Sequence, residues 1–263
     1  MVKQDKMSEV QKKRLVIKIG TSTLTAGTDR ISRGKIEDLA REILNLKEDY
    51  ELILVSSGAI AAANQLIIQH NWSHDVKSKQ AKAAIGQPIL LQIYNEVFRD
   101  FDLRTAQCLL TYDDFSRKNS RNNTFNTINE LLYHSYIPIV NENDTVSVSE
   151  IMVGDNDKLS AYVAKLLNAD KLILVSDIDG IYDKNPHLHA DAQLIERVRA
   201  VEDVMHCIEE KESDLGTGGM TTKLEAAQIC LDNDIEMYIL NGNETSFISN
   251  AFNGIKKYTL FKK

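Results

Sequence analysis

Short, predominantly apolar runs rich in Val, Ile and Leu alternate along this chain with longer stretches of helical pattern. The runs are Leu15 to Ile19, Glu51 to Ser56, Thr105 to Thr111, Ile137 to Asn141, Lys171 to Ser176, Glu236 to Leu240 and Tyr258 to Phe261. A strand whose two faces are both apolar cannot leave either face in water. Strands of that kind, separated by helices, predict a mostly parallel sheet covered on both sides, a three-layer α/β/α sandwich. Ser32 reads as the N-cap of a helix reaching about Lys47. The Gly58 to Ala63 stretch opens another helix. A long helical segment runs from Ser78 to about Phe101, interrupted near Gly86 and Pro88. Asp155 to Asn168 and Met220 to Asp232 complete the set. The stretch between Thr111 and Ile137 reads as a polar segment.

No Pro- or Ser-rich linker divides the 263 residues, and Pro occurs only 3 times. One domain, 15–263, is therefore expected, with 1–14 as a flexible extension that lacks the apolar core of a secretory signal. No apolar run approaches the roughly 18 residues needed to cross a bilayer. The net charge of -7 argues against a nucleic-acid-binding domain, which carries a basic excess. The 3 cysteines are widely spaced and form no CxxC, so neither a disulfide framework nor a zinc site is indicated. A reducing compartment, the cytoplasm, is the expected location.

In parallel α/β sheets, ligands gather at the carboxyl ends of strands. Here each such end carries a polar cluster. Lys18-Ile19-Gly20-Thr21-Ser22 closes the first strand, and Ser56-Ser57-Gly58-Ala59 the second. Small residues there let a ligand approach backbone N–H groups, although a tight strand-to-helix turn uses the same residues. Asn141-Glu142-Asn143-Asp144 follows the fourth strand and suits either a turn or recognition of an amino group by a carboxylate. Gly154-Asp155-Asn156-Asp157-Lys158 opens a helix, with Asp155 as the N-cap candidate and Asn156 and Asp157 on the first turn. Ser176-Asp177-Ile178-Asp179-Gly180 follows the fifth strand.

The island Gly216-Thr217-Gly218-Gly219-Met220-Thr221-Thr222-Lys223 lies directly ahead of a helix. Glycines allow close backbone approach, and a helix N-terminus offers unpaired N–H groups to an anion. The two hydroxyls and the Lys add donors and positive charge. This is chemistry for holding phosphate, with a flexible surface loop as the plain alternative. Gly-x4-Gly-Lys-Ser/Thr is absent, as are the protein-kinase motifs, GxSxG and HExxH. The six histidines are scattered, and no metal site is predicted.

Taken in order, these clusters closely resemble the amino acid kinase family, and within it the branch that phosphorylates L-glutamate. The matching elements are Val16 to Ser22, Ser57 to Ala62, Ala84-Ile85-Gly86-Gln87, Ile139 to Asp144, Val153 to Asp157 and Gly216 to Met220. They lie within roughly residues 15 to 261. The resemblance implies transfer of the γ-phosphoryl group of ATP to the side-chain carboxylate of L-glutamate, giving L-glutamyl 5-phosphate, the first step of proline biosynthesis. It implies Lys18 as the lysine that stabilises the phosphoryl group in flight, Lys223 as the lysine on the nucleotide phosphates, and Asp157 as the aspartate that positions both. It implies Ser57, Gly58, Asn141, Asp144 and Asn156 at the glutamate, and Ser176, Asp177 and the run Thr217, Gly218, Gly219, Met220, Thr221, Thr222, Lys223 at ATP. Mg²⁺ is expected with the nucleotide, L-proline as a feedback inhibitor, and a homo-oligomer as the assembly.

Two departures stand out. Many members carry a C-terminal PUA module, which this sequence is read as lacking. The segment Tyr112 to Asn126 also deviates from the family's usual pattern. The alternatives are a sibling kinase acting on N-acetylglutamate and a catalytically dead amino-acid sensor. The presence of Lys18, Asp157 and Lys223 argues against the sensor, and a free α-amino group suits Asp144 better than an acetylated one.

Overall fold

The computed structural model describes residues 12–67, 72–147, 156–186, 188–207 and 219–263. Among the described residues, eight strands form one sheet in the order β3-β4-β2-β1-β5-β7-β8-β6. They are β1 (Lys13–Ile19), β2 (Tyr50–Ser56), β3 (Arg104–Leu110), β4 (Tyr136–Glu142), β5 (Lys171–Ser176), β6 (Arg197–Val198), β7 (Glu236–Asn241) and β8 (Thr259–Phe261). The pairings are parallel except for β7 with β8. Each of the seven apolar runs forms a strand within a residue or two of its expected bounds. The two-residue β6 has too little apolar pattern to show in the sequence.

The helices are α1 (Thr21–Thr25), α2 (Arg33–Leu46), α3 (Ala59–Asn64), α4 (Val76–Arg99), α5 (Asp113–Ser116), α6 (Lys118–Tyr133), α7 (Asp157–Leu166), α8 (Met220–Asp232) and α9 (Phe247–Phe252). They supply the outer layers. In β1, Leu15, Ile17 and Ile19 join the core beneath α2, α3, α4 and α9, whereas Val16 joins the core beneath α6, α7 and α8. The two-residue period of the strand therefore turns Lys18 toward the α7 and α8 layer. That single consequence of alternation decides which helices can meet this lysine.

Three local expectations changed. The helix expected to break near Gly86 and Pro88 is continuous through both as α4. Pro88 removes one intrahelical hydrogen bond, and the packing of α4 outweighs that loss. Gly86 is part of that packing, because a Cβ there would sit 1.7 Å from the carbonyl oxygen of Ala59 on α3. The glycine lets two helices approach backbone to backbone. The polar stretch after Thr111 is largely helical, as α5 and α6. Only Ile128 of α6 is buried, so the apolar stripe that would reveal the helix is almost missing. Finally, α7 begins at Asp157 with Asn156 as its N-cap, and Asn156 makes no side-chain cap to the helix. The expected cap, Asp155, lies outside the described residues. By contrast, the Ser32 side chain does accept from the Lys35 N–H at the start of α2.

Candidate active site

Lys18 is set in a strand and is only 5% exposed, so its ammonium must be paired. Its Nζ lies 2.6 Å from Oδ1 of Asp157, the first residue of α7. The other oxygen, Oδ2, accepts from Nζ of Lys223 at 3.0 Å. Lys223 stands on the first turns of α8 and is buried too, as is Asp157. One carboxylate thus holds two ammonium groups drawn from a strand and a second helix. Asp157 also sits at the positive end of the α7 dipole, which favours its negative charge. The cluster carries a net positive charge and lies beside the N-terminus of α8, where Gly219 provides no side-chain cap. A helix N-terminus and two lysines together favour an anion of phosphate type.

Asn156 precedes Asp157 and faces a different set of partners. Its Nδ2 donates to the Ser56 carbonyl at 3.1 Å, to Ser57 Oγ at 3.1 Å and to Asn141 Oδ1 at 2.8 Å. The ends of β2 and β4 and the start of α7 are tied together through this one amide. Asn141 Oδ1 also accepts from the Glu142 N–H at 2.9 Å, and Asn141 Nδ2 donates to Gln87 Oε1 at 3.2 Å. Gly58 turns the chain from β2 into α3 with φ of 100°. That conformation is one that side-chain-bearing residues rarely adopt, so the turn calls for glycine.

Beyond Asn141, Glu142 and Asp144 border a cleft of about 620 Å³ between α4 and the end of the sheet. Burial pushes the Asp144 carboxyl up to about 6. Burial also pushes Glu142 up to about 7, and the neighbouring Asp144 charge adds to the effect. Glu142 is 3% exposed and has no hydrogen bond of good geometry among the described residues, the Ser147 hydroxyl making only a weak contact.

The remaining expected residues fall at the same end of the sheet. Ser176 ends β5, the neighbour of β1, and its hydroxyl donates to Asp177 Oδ1 at 3.1 Å. No described hydrogen bond links this pair to the lysines. Met220 and Thr221 open α8, and the Thr222 hydroxyl donates back to the Gly219 carbonyl at 2.9 Å. Thr217 and Gly218, with Gly216, lie outside the described residues. The structure therefore joins Lys18, Asp157 and Lys223 directly, and Ser57, Asn141 and Asn156 directly. It places Gly58, Asp144, Ser176 and Asp177 around them.

A model of the amino acid kinase family matches residues 13–241. The glutamate 5-kinase of Alkaliphilus metalliredigens is 42% identical over 252 residues, 95% of this chain and 96% of that protein. That of Clostridium acetobutylicum is 45% identical over 250 residues, 94% of each. The chain belongs to the amino acid kinase family. A third relative, the glutamate 5-kinase of a Thermoanaerobacter species, is 42% identical across 94% of this chain and 67% of its own length. At the level of fold, this family member superimposes on the crystal structure of UMP kinase from Ureaplasma parvum. The TM-score is 0.65 at 19% identity, covering 96% of this chain and all of that one.

One contributor to this amino acid kinase site does not lie at a strand end. Gln87 comes from the interior of α4, and nothing at a strand terminus points to it. It lay within a matched motif, yet only its contact with Asn141 gives it a part. Ser56 was grouped with Ser57, but their roles differ. The Ser56 hydroxyl contacts the buried Tyr94 hydroxyl at 2.9 Å, which is a core contact, while Ser57 faces Asn156.

Proposed function

We propose that the chain transfers the γ-phosphoryl group of ATP to the side-chain carboxylate of L-glutamate, making L-glutamyl 5-phosphate for proline biosynthesis. The observation that carries this reading is the pair of adjacent residues Asn156 and Asp157. One is tied into a buried network of amide and hydroxyl groups, polar chemistry suited to a small polar acceptor. The other holds two lysines together, and paired cations suit a phosphate group. Donor and acceptor subsites thus share one helix start, which fixes their separation.

The chemistry asks for little else. The acceptor carboxylate is already ionised at neutral pH, so no general base is required. The obstacle is repulsion between two anions, and positioned cations answer it. Lys18 is assigned to the transferring phosphoryl group, and Lys223 to the nucleotide phosphates. Asp157 orients both. Ser57, Gly58, Asn141, Asp144 and Asn156 are assigned to glutamate, with Asp144 taking its ammonium. Ser176, Asp177 and the run 217–223 are assigned to the nucleotide. Mg²⁺ is proposed to arrive on the ATP phosphates, where it would neutralise their charge. A cation carried in this way would keep substrate oxygens and water as most of its ligands.

The test is ADP release with L-glutamate against N-acetylglutamate. Turnover confined to L-glutamate is expected, and a preference for the acetylated compound would overturn the assignment of Asp144. The reading extends to inhibition by L-proline and to a homo-oligomer. The same assay, run with proline and over a range of protein concentrations, tests both.

A further inference from the structure

The amide chain at the acceptor subsite has a direction, and a backbone group sets it. The Glu142 N–H can only donate, so the atom of Asn141 that receives it at 2.9 Å must be Oδ1. The Asn156 amide nitrogen donates to the same oxygen at 2.8 Å. Asn141 therefore presents Nδ2 to Gln87, and Gln87 must answer with Oε1 at 3.2 Å. The relay leaves Nε2 of Gln87 at its far end. That nitrogen is buried and has no hydrogen-bond partner among the described residues. Gln87 as a whole is 8% exposed, and it lines the same cleft as Asp144. A buried amide donor without an acceptor is costly in the empty protein. Such a group is accounted for when a ligand supplies the acceptor.

Resting on the function proposed above, we propose that Gln87 Nε2 recognises the α-carboxylate of the amino-acid substrate, while Asp144 takes its ammonium. Gln87 then supplies a buried donor, and Asp144 a carboxylate, to the two charges of an α-amino acid. The side-chain carboxylate remains to extend toward Lys18. Arg99 is the cationic side chain that lines this cleft. It stands twelve residues further along α4, roughly 18 Å away by helical rise, and is exposed.

Gln87→Glu separates recognition from support. It has the same shape and still offers Oε to Asn141, but it replaces the donor by a second acceptor. The readouts are KM for L-glutamate, KM for ATP, kcat, and the inhibition constant of 4-aminobutyrate, which lacks the α-carboxylate. A rise of roughly ten- to a hundredfold in the glutamate KM is expected, the worth of one hydrogen bond to a charged group. The ATP KM, the kcat at saturation and the 4-aminobutyrate constant should each stay within about threefold, because none involves the lost donor. An unchanged glutamate KM, or 4-aminobutyrate weakened as much as glutamate, overturns the assignment. Should Gln87→Glu not fold, Gln87→Met is read by the same comparison. Arg99→Ala should leave the glutamate KM unchanged, and a large rise there would transfer the role to Arg99. Turnover of L-glutamate by the unmodified protein is measured first. Its absence refutes the activity, whereas its presence with an indifferent Gln87 refutes only this assignment.

Discussion

Asp157→Asn tests the central claim that one carboxylate organises two lysines for an anion. The substitution keeps shape and removes charge. At an effective dielectric near 20, ion contacts at the observed 2.6 and 3.0 Å amount to about 6 kcal/mol each before desolvation is counted. The two ammonium groups touch opposite oxygens of one carboxylate, so they are at most about 8 Å apart and repel by about 2 kcal/mol or more. With desolvation included, breaking a buried pair of this type costs about 3–5 kcal/mol. The empty variant should lose that much stability in urea titration. Its kcat should fall at least a hundredfold, since the lysines lose their fixed geometry. Binding of a non-hydrolysable ATP analogue should behave differently. The phosphates replace the missing negative charge, so saturating analogue should raise the melting temperature of the variant by more than it raises that of the unmodified protein. Smaller stabilisation of the variant would refute the reasoning, and would mean that Asp157 itself holds the nucleotide or its metal.

Other consequences follow from the same structure. Lys18→Ala should lower kcat by about a hundredfold or more while moving the glutamate KM only a few-fold, because the lysine acts on the phosphoryl group in transit. Steady-state kinetics with both substrates varied checks this, and near-normal kcat would remove Lys18 from its role. Gly86→Ala brings a Cβ to 1.7 Å from the Ala59 carbonyl, so α3 and α4 must separate. A loss of about 3 kcal/mol or more in denaturant stability is expected, with a higher glutamate KM in whatever folds, since α3 carries the Ser57-Gly58 turn. Glu142, raised to about 7, makes stability pH-dependent in a definite direction. The folded protein binds the proton more tightly than the unfolded chain. The contribution is complete below about pH 4.5 and is lost as pH rises through about 7, amounting to at most about 3 kcal/mol. Asp144, raised to about 6, acts with the same sign. The protein without substrate should therefore melt higher at pH 6 than at pH 8, and Glu142→Gln should flatten that difference.

Much of this molecule was legible in one dimension. Strands apolar on both faces have to be covered on both faces, so the layered sandwich follows from the runs at 15–19, 51–56, 137–141, 171–176 and 236–240 alone. Polar clusters at strand ends follow from the same logic, because the carboxyl edge of such a sheet is where an apolar strand can release a charged or flexible residue. Lys18 could be noted in that way, whereas Asp157 and Lys223 stood in clusters that open helices, and the roles of all three followed from the family resemblance. Local chemistry misled in α4, where Gly86 and Pro88 signal a break. It was also mute in α6, whose nearly uniform polarity conceals a helix. What the tertiary structure decided was pairing. Alternation in β1 turns Lys18 toward α7 and α8, and only the packing of those helices brings residues 139 and 205 positions away onto one side of it. The direction of the amide relay was equally hidden. It depends on the backbone N–H of Glu142 meeting Asn141 and on an α4 residue, Gln87, reaching the end of β4. Such contacts are set by the geometry of packed layers, and a linear sequence holds no measure of that distance.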